Sequence, residues 1–146
     1  MRISTKGTYA LEIIVDLAMH SSEEHLERLK NIAARRGLSE KYLERIVKAM
    51  KNENLILSTR GAMGGYRLAR RPEDITVLDV LRSVEGELAP VECLTKETNC
   101  GIACEDCLTR GVWADMWREI LGVTENVSVA DITIEFSMKN YRKLIF

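Results

Sequence analysis

Apolar residues recur along the first half of the chain at three- and four-residue steps, the period of helices with one buried side. Tyr9, Ala10, Ile13, Ile14, Leu17 and Ala18 predict a helix over 9–19, begun at Gly7 and Thr8 and ended at His20-Ser21-Ser22. Leu29, Ile32 and Ala33 predict a shorter amphipathic helix within 26–36, stopped by Gly37. Ser39 is a good cap for a third helix, whose apolar stripe is Tyr42, Leu43, Ile46, Val47 and Met50. A helix, a glycine turn and a Ser-capped helix are the sequence form of a helix-turn-helix. The period then changes. Residues 55–60 and 66–69 are strand-like and flank the turn Gly61-Ala62-Met63-Gly64-Gly65, which completes a winged helix with a short hairpin wing.

Thr76 caps a predicted helix over 77–85, with Val77, Val80, Leu81 and Val84 inward and Gly86 as terminator. A linker from Glu87 to Asn99, containing Pro90, leads into a cysteine-rich stretch. Thr109 is the expected cap of the most apolar helix, which carries Val112, Trp113, Met116, Trp117, Ile120 and Leu121. That stripe suits a packed core, and in a chain this short it suits a homodimer interface equally. Ser128 caps a short final helix, and the tail from Phe136 to Phe146 shows no assignable pattern.

The chain has 146 residues, 46% hydrophobic and 29% charged, which fits one soluble domain plus an appendage. Its net charge of −1 taken whole predicts no affinity for nucleic acid. The distribution says otherwise. Residues 1–72 hold 14 basic and 8 acidic side chains, a net of +6, whereas residues 73–146 hold 7 and 14, a net of −7. Between 28 and 71 stand Arg28, Lys30, Arg35, Arg36, Lys41, Arg45, Lys48, Lys51, Arg60, Arg67, Arg70 and Arg71, opposed only by Glu40, Glu44 and Glu53, a net of +9. Lys41, Arg45 and Lys48 fall on the face opposite the apolar stripe, as a helix entering a DNA groove requires. Ser39, Tyr42 and Lys51 complete the candidate DNA contacts of that helix, with Glu44 either accepting from a cytosine amino group or pairing with Lys48. In the wing, Arg60 is the candidate contact, and Gly64 and Gly65 allow close approach of the backbone to phosphate or minor groove.

The chain start lacks the apolar run of a signal peptide, and no stretch of 18 apolar residues could span a bilayer, so a cytoplasmic protein with no membrane partner is expected. Thiols stay reduced there. All four cysteines nevertheless fall between Cys93 and Cys107, with Cys100 and Cys104 between them in the spacing C-x6-C-x3-C-x2-C. Clustered sulfur donors point to an iron–sulfur cluster, zinc or copper(I). Zinc is the poorer match, because only Cys104 and Cys107 form a two-residue-spaced knuckle. A metal-free disulfide switch is the other reading of the four thiols. An enzyme is not expected: His20 and His25, the only histidines, have no nucleophile or phosphate-cradling loop beside them in the sequence.

Four segments taken together resemble a known family. They are Met1-Arg2-Ile3-Ser4-Thr5-Lys6-Gly7 with Tyr9-Ala10, Ser39-Glu40-Lys41-Tyr42-Leu43-Glu44, Arg60-Gly61-Ala62-Met63-Gly64-Gly65-Tyr66, and Cys107-Leu108-Thr109 with Trp113. The chain resembles the Rrf-two-type bacterial winged-helix regulators, among them IscR-, NsrR- and CymR-like members. The resemblance implies a mainly α fold with a small β-hairpin wing: a winged helix-turn-helix over 1–86, a cofactor loop over 87–107, and a long dimerisation helix with the tail over 108–146. It implies a homodimeric repressor-type regulator on a pseudo-palindromic double-stranded operator. Val112, Trp113, Met116, Trp117 and Ile120 would then form the dimer interface. It also implies an iron–sulfur cluster, sensing redox, iron–sulfur status or nitric oxide, with Cys93, Cys100 and Cys107 in the three cysteine positions. IscR-like members place a ligating His where this chain has Arg110, which has no lone pair to give. NsrR-like members use an Asp near the start, where Thr8 stands. Cys104, or Glu12 of the partner subunit, is left as the fourth ligand, and both 2Fe–2S and 4Fe–4S stay open. CymR-like members add a cluster-free or zinc-bound alternative, acting through a protein partner such as a metabolic enzyme.

Overall fold

A computed structural model describes residues 2–145. The element order is α1 (Thr5–His20), α2 (Leu29–Arg36), α3 (Glu40–Asn52), β1 (Ile56–Thr59), β2 (Gly65–Leu68), α4 (Val77–Glu85), α5 (Arg110–Asn126) and α6 (Val129–Ile145). Short 3-10 turns lie at Pro72–Asp74, Glu92–Leu94 and Cys104–Asp106. The two strands pair antiparallel in the register Ile56↔Leu68 to Thr59↔Gly65, which makes the wing. The fold is therefore mainly helical with one hairpin, as the periodicity predicts. Among the described residues no helix is long and apolar enough to cross a membrane.

Ala10, Ile13, Ile14 and Leu17 of α1 pack with Leu43, Ile46, Val47 and Met50 of α3 and with Val80 and Val84 of α4 in one buried core. A second cluster joins Leu78 and Leu81 of α4 to Leu88, with Ile3, Leu11, Trp117 and Leu121 against it. Helix α4 thus lies between two apolar groups, which is why Leu78 is buried while Val77, expected inward, is only half-buried. The predicted Thr76 cap forms a reciprocal box with Asp79, and Gly86 ends the helix with positive φ.

Three boundaries differ from the sequence reading. Helix α1 starts at Thr5, earlier than expected, because its first N–H groups have acceptors: Ser4 Oγ accepts from Gly7 N–H at 3.3 Å, and Glu85 Oε1 at the end of α4 accepts from the same group at 3.1 Å. Gly7 is thus no helix breaker. A Cβ there would press into the Glu85 carboxylate and lie 2.7 Å from Ile3 Cγ2. Thr109 makes no side-chain cap on α5; its hydroxyl is taken by the Trp113 indole N–H at 3.3 Å. The third difference is the tail, which is helical through Ile145, while Phe146 lies outside the described residues. Ser128 does cap this helix, accepting from Asp131 N–H at 3.1 Å while Asp131 accepts from Ser128 N–H at 2.8 Å.

Two carboxylates are buried in the winged helix, Asp16 at 0% exposure and Glu27 at 4%. Arg35 donates to both, from Nη2 at 2.6 Å to Asp16 Oδ1 and at 2.6 Å to Glu27 Oε2, and Arg36 Nε donates to Asp16 Oδ2 at 2.9 Å. The Glu27 peptide meanwhile exchanges hydrogen bonds with Tyr66, at 2.9 and 2.7 Å, so the loop before α2 becomes a third rung beside the wing. Burial alone would raise the Asp16 carboxyl. Hydrogen bonds and charge from Arg35 and Arg36 outweigh it and hold Asp16 below its ordinary 3.8. Glu27 is likewise held below its ordinary 4.5: burial raises it, and Asn31, Arg35 and the Arg28 N–H more than compensate. A depressed native value means the stabilisation is complete above about pH 4.5 and is lost as pH falls through the native values. Urea midpoints measured across this range should fall steeply in acid for the wild type and less so for Asp16→Asn. That variant should also be about 2–3 kcal/mol less stable at neutral pH, since it leaves two arginines short of their acceptor.

Candidate nucleic-acid interface and thiol recess

Ser39 begins α3, its Oγ accepting from Tyr42 N–H at 3.1 Å, and from there the helix shows two different faces. Leu43, Ile46, Val47 and Met50 are buried, while Lys41, Glu44, Arg45, Lys48 and Lys51 are exposed. Tyr42 sits at the edge, half-buried, its ring 5.8 Å from Tyr9 in an edge-to-face contact. Among the described residues no ion pair joins Glu44 to Lys48, which removes one of the two expected roles of Glu44.

The basic block divides in two. Arg35 and Arg36 are paired with Asp16, Glu27 and Glu12, so their charge is largely balanced within the chain although part of each side chain reaches solvent. Arg70 faces Asp79 at 3.8 Å, and Arg71 pairs with Asp74 at 3.0 Å. Arg28 donates to the Ala62 carbonyl and braces the wing tip. Lys30, Lys41, Arg45, Lys48, Lys51 and Arg60 remain exposed. The effective positive face is therefore narrower than +9 and centred on α3 and the wing.

Local sterics give the wing glycines a second purpose. A Cβ on Gly64 would run into the Thr59 carbonyl and stand 2.9 Å from the Arg60 carbonyl carbon; one on Gly65 would stand 2.7 Å from the Glu27 carbonyl oxygen. Both glycines pack against backbone of the same chain. Gly61 has φ of 111°, the left-handed region that glycine tolerates without strain. Between them Met63 projects at 90% exposure, a residue that sequence reasoning passed over as part of the turn.

The cysteines lie at the other end of α4. An open recess is lined by Cys93, Cys100 and Cys107, together with Thr109, Arg110 and Trp113. Cys93 and Cys107 are half-buried, and Cys100 is exposed. Cys104 is exposed too, and its Sγ lies 3.4 Å from Arg110 Nη1, which also donates to the Cys93 carbonyl at 3.2 Å. Among the described residues no three Cys, His, Asp or Glu side chains are gathered closely enough to hold a metal ion. The donor chemistry still suits a thiolate-bound centre, since three cysteines line one concavity at the start of a helix. The Cys107 thiol is held below its ordinary value of 9.0, chiefly by the Thr109 backbone N–H and then by its hydroxyl, with Arg110 adding to it.

Helix α5 divides the predicted interface stripe. Trp117 packs inward with Leu121 on the α4 cluster, Trp113 lines the thiol recess, and Ile120 is half-buried. Val112 at 59% exposure and Met116 stay open, continued by Val123 at 64%.

A basic helix seated on an apolar core beside a hairpin wing defines a winged-helix DNA-binding regulator. Known proteins agree. The Rrf2 family model, described as an iron-dependent transcriptional regulator, matches residues 3–135. Protein rrf2 of Nitratidesulfovibrio vulgaris is 37% identical over 138 residues, 94% of this chain and 91% of that protein. The regulator CymR of Bacillus subtilis is 46% identical over 97 residues, 66% of this chain and 70% of that protein. Among solved structures, CymR of B. subtilis, described as its global cysteine regulator, superposes with a TM-score of 0.75 at 36% identity, over 92% of this chain and 98% of that one. IscR of T. potens superposes with a TM-score of 0.74 at 36% identity, over 92% and 88%. The chain belongs to the Rrf2 family of transcriptional regulators. Its relatives are regulators, not enzymes.

The lowered Cys107 thiol has a direct consequence. In metal-free protein near pH 7, mass spectrometry should find Cys107 alkylated by iodoacetamide ahead of Cys100, although Cys100 is the more exposed. Thr109→Val, which removes the hydroxyl but keeps the backbone N–H, should narrow that lead without abolishing it.

Proposed function

We propose that the chain is a cytoplasmic, homodimeric transcription regulator whose operator affinity responds to an iron–sulfur cluster at Cys93, Cys100 and Cys107. One observation carries this reading: an exposed basic face and a three-thiol recess are joined through a single helix, α4. Ser39, Lys41, Tyr42, Glu44, Arg45, Lys48 and Lys51 would meet the major groove and its phosphates, and Arg60 would follow the wing into the adjacent groove. Gly64 and Gly65 would hold the wing frame. The open stripe of Val112, Met116 and Val123 on α5 is the surface for the second copy, with Ile120 at its edge.

When bound, the cluster would supply a redox- and nitric-oxide-sensitive centre of thiolate-ligated iron. The protein's own residues do the remaining work. Cys107 offers a thiolate at low cost, Trp113 shields one side of the recess, and Leu88 fastens the start of the cysteine segment to Leu78 and Leu81. Glu85, just before that segment, holds the first turn of α1. Ordering or releasing the cysteine segment would therefore bias the position of the reading head. The likeness to CymR supports a second reading, a cluster-free regulator that acts through a protein partner.

Reconstitution under anaerobic conditions should give stoichiometric iron and sulfide and a visible charge-transfer band. Cys93→Ala, Cys100→Ala and Cys107→Ala should each lose them; if all three match the parent, the cluster reading is wrong and the CymR-like one gains. For DNA, fluorescence anisotropy should show Arg60→Ala weakening operator binding by about 1–3 kcal/mol. Lys51→Ala should lower the salt slope by about one unit and leave sequence preference unchanged.

A further inference from the structure

Arg110 stands where side chains from three segments meet. It is the first residue of α5, its Nη1 donates to the Cys93 carbonyl at 3.2 Å, and the same nitrogen lies 3.4 Å from Cys104 Sγ. Among the described residues lining the thiol recess it is the one cation, facing three cysteines and Glu92. Glu92 already has its own partner, Lys96, at 3.2 Å. The Arg110 charge is therefore available to the sulfurs.

A guanidinium cannot ligate a metal, since its nitrogens offer no lone pair at any accessible pH. What it offers is geometry and charge. Both contacts are made by one terminal nitrogen, Nη1, at the end of a side chain longer than that of lysine, so an ammonium in its place falls short of the two acceptors. Thiolates gathered around an iron–sulfur centre carry net negative charge, and a nearby cation favours the form that holds an extra electron. We propose that Arg110 is a positioning residue with two separable actions: it fastens the Cys93 and Cys104 segments to the start of α5, and it raises the reduction potential of the anionic centre held by Cys93, Cys100 and Cys107. The second action rests on the cluster reading above; the first does not.

The two actions separate because Lys keeps the charge but not the reach, and Met keeps neither. After anaerobic reconstitution with ferrous iron and sulfide, potentiometric titration should place R110M below wild type by about tenfold in the one-electron reduction equilibrium, ~59 mV. R110K should restore the wild-type potential. Loss of the cluster in R110M with its retention in R110K also supports the charge role. A potential in R110M equal to wild type overturns it and leaves the cluster reading standing, whereas wild-type protein that takes up no iron overturns both. In metal-free protein, limited proteolysis within residues 94–103 should be faster in both variants than in wild type. Cleavage at the wild-type rate in both variants overturns the fastening role, whatever the iron results.

Discussion

The Asp16 carboxylate, fully buried in α1 and held by two arginines of α2, is the constraint on which the reading head depends. An unpaired charge there would cost several kcal/mol, so the burial of this part of α1 depends on the cations that α2 supplies. The same Arg35 reaches Glu27, whose peptide pairs with Tyr66 near the turn of the wing. One ionic knot thereby fixes α1, α2 and the hairpin relative to one another. It also balances the charge of Arg35 and Arg36, leaving the unpaired positive charge concentrated on α3 and the wing.

Helix α4 extends that order to the second half of the chain. It places Val80 and Val84 in the core of the winged helix and Leu78 and Leu81 against Trp117 and Leu121 of α5. Its last residue, Glu85, closes over the start of α1. The turn between α5 and α6 is fastened as well, through Val77 N–H to the Val127 carbonyl at 2.9 Å and Val129 N–H to the Ile75 carbonyl at 2.8 Å. A helix buried on two sides and tied at both ends is held in place by both halves of the chain at once.

Much of the fold was readable from period and caps. Leu43, Ile46, Val47 and Met50 recur cleanly, Ser39 and Thr76 cap where expected, and Gly37 turns left-handed after α2. The misreadings share a cause: the deciding partner is far away in sequence. Gly7 reads as the start of the first helix until Glu85 is beside it, and the helix then begins at Thr5. Arg35 and Arg36 read as surface charges until Asp16 is seen to be buried. The tail is a different case: the Ser128 cap is legible, but Ile132, Ile134, Phe136 and Met138 alternate with polar residues as a strand would, and that hides the length of α6. At the candidate site, the thiols announce themselves by spacing, but Arg110 is an ordinary helix residue until its contacts with Cys93 and Cys104 appear.

The wing glycines separate two kinds of information that the sequence prints in one motif. Gly64 and Gly65 are confined by the carbonyls of Thr59 and Glu27, so they specify how the hairpin closes. Arg60, Ala62 and Met63 are exposed and free of that confinement. The exposed positions could therefore vary without altering how the hairpin closes. Two chains that share the glycines of this wing would share its frame and differ in what that frame displays.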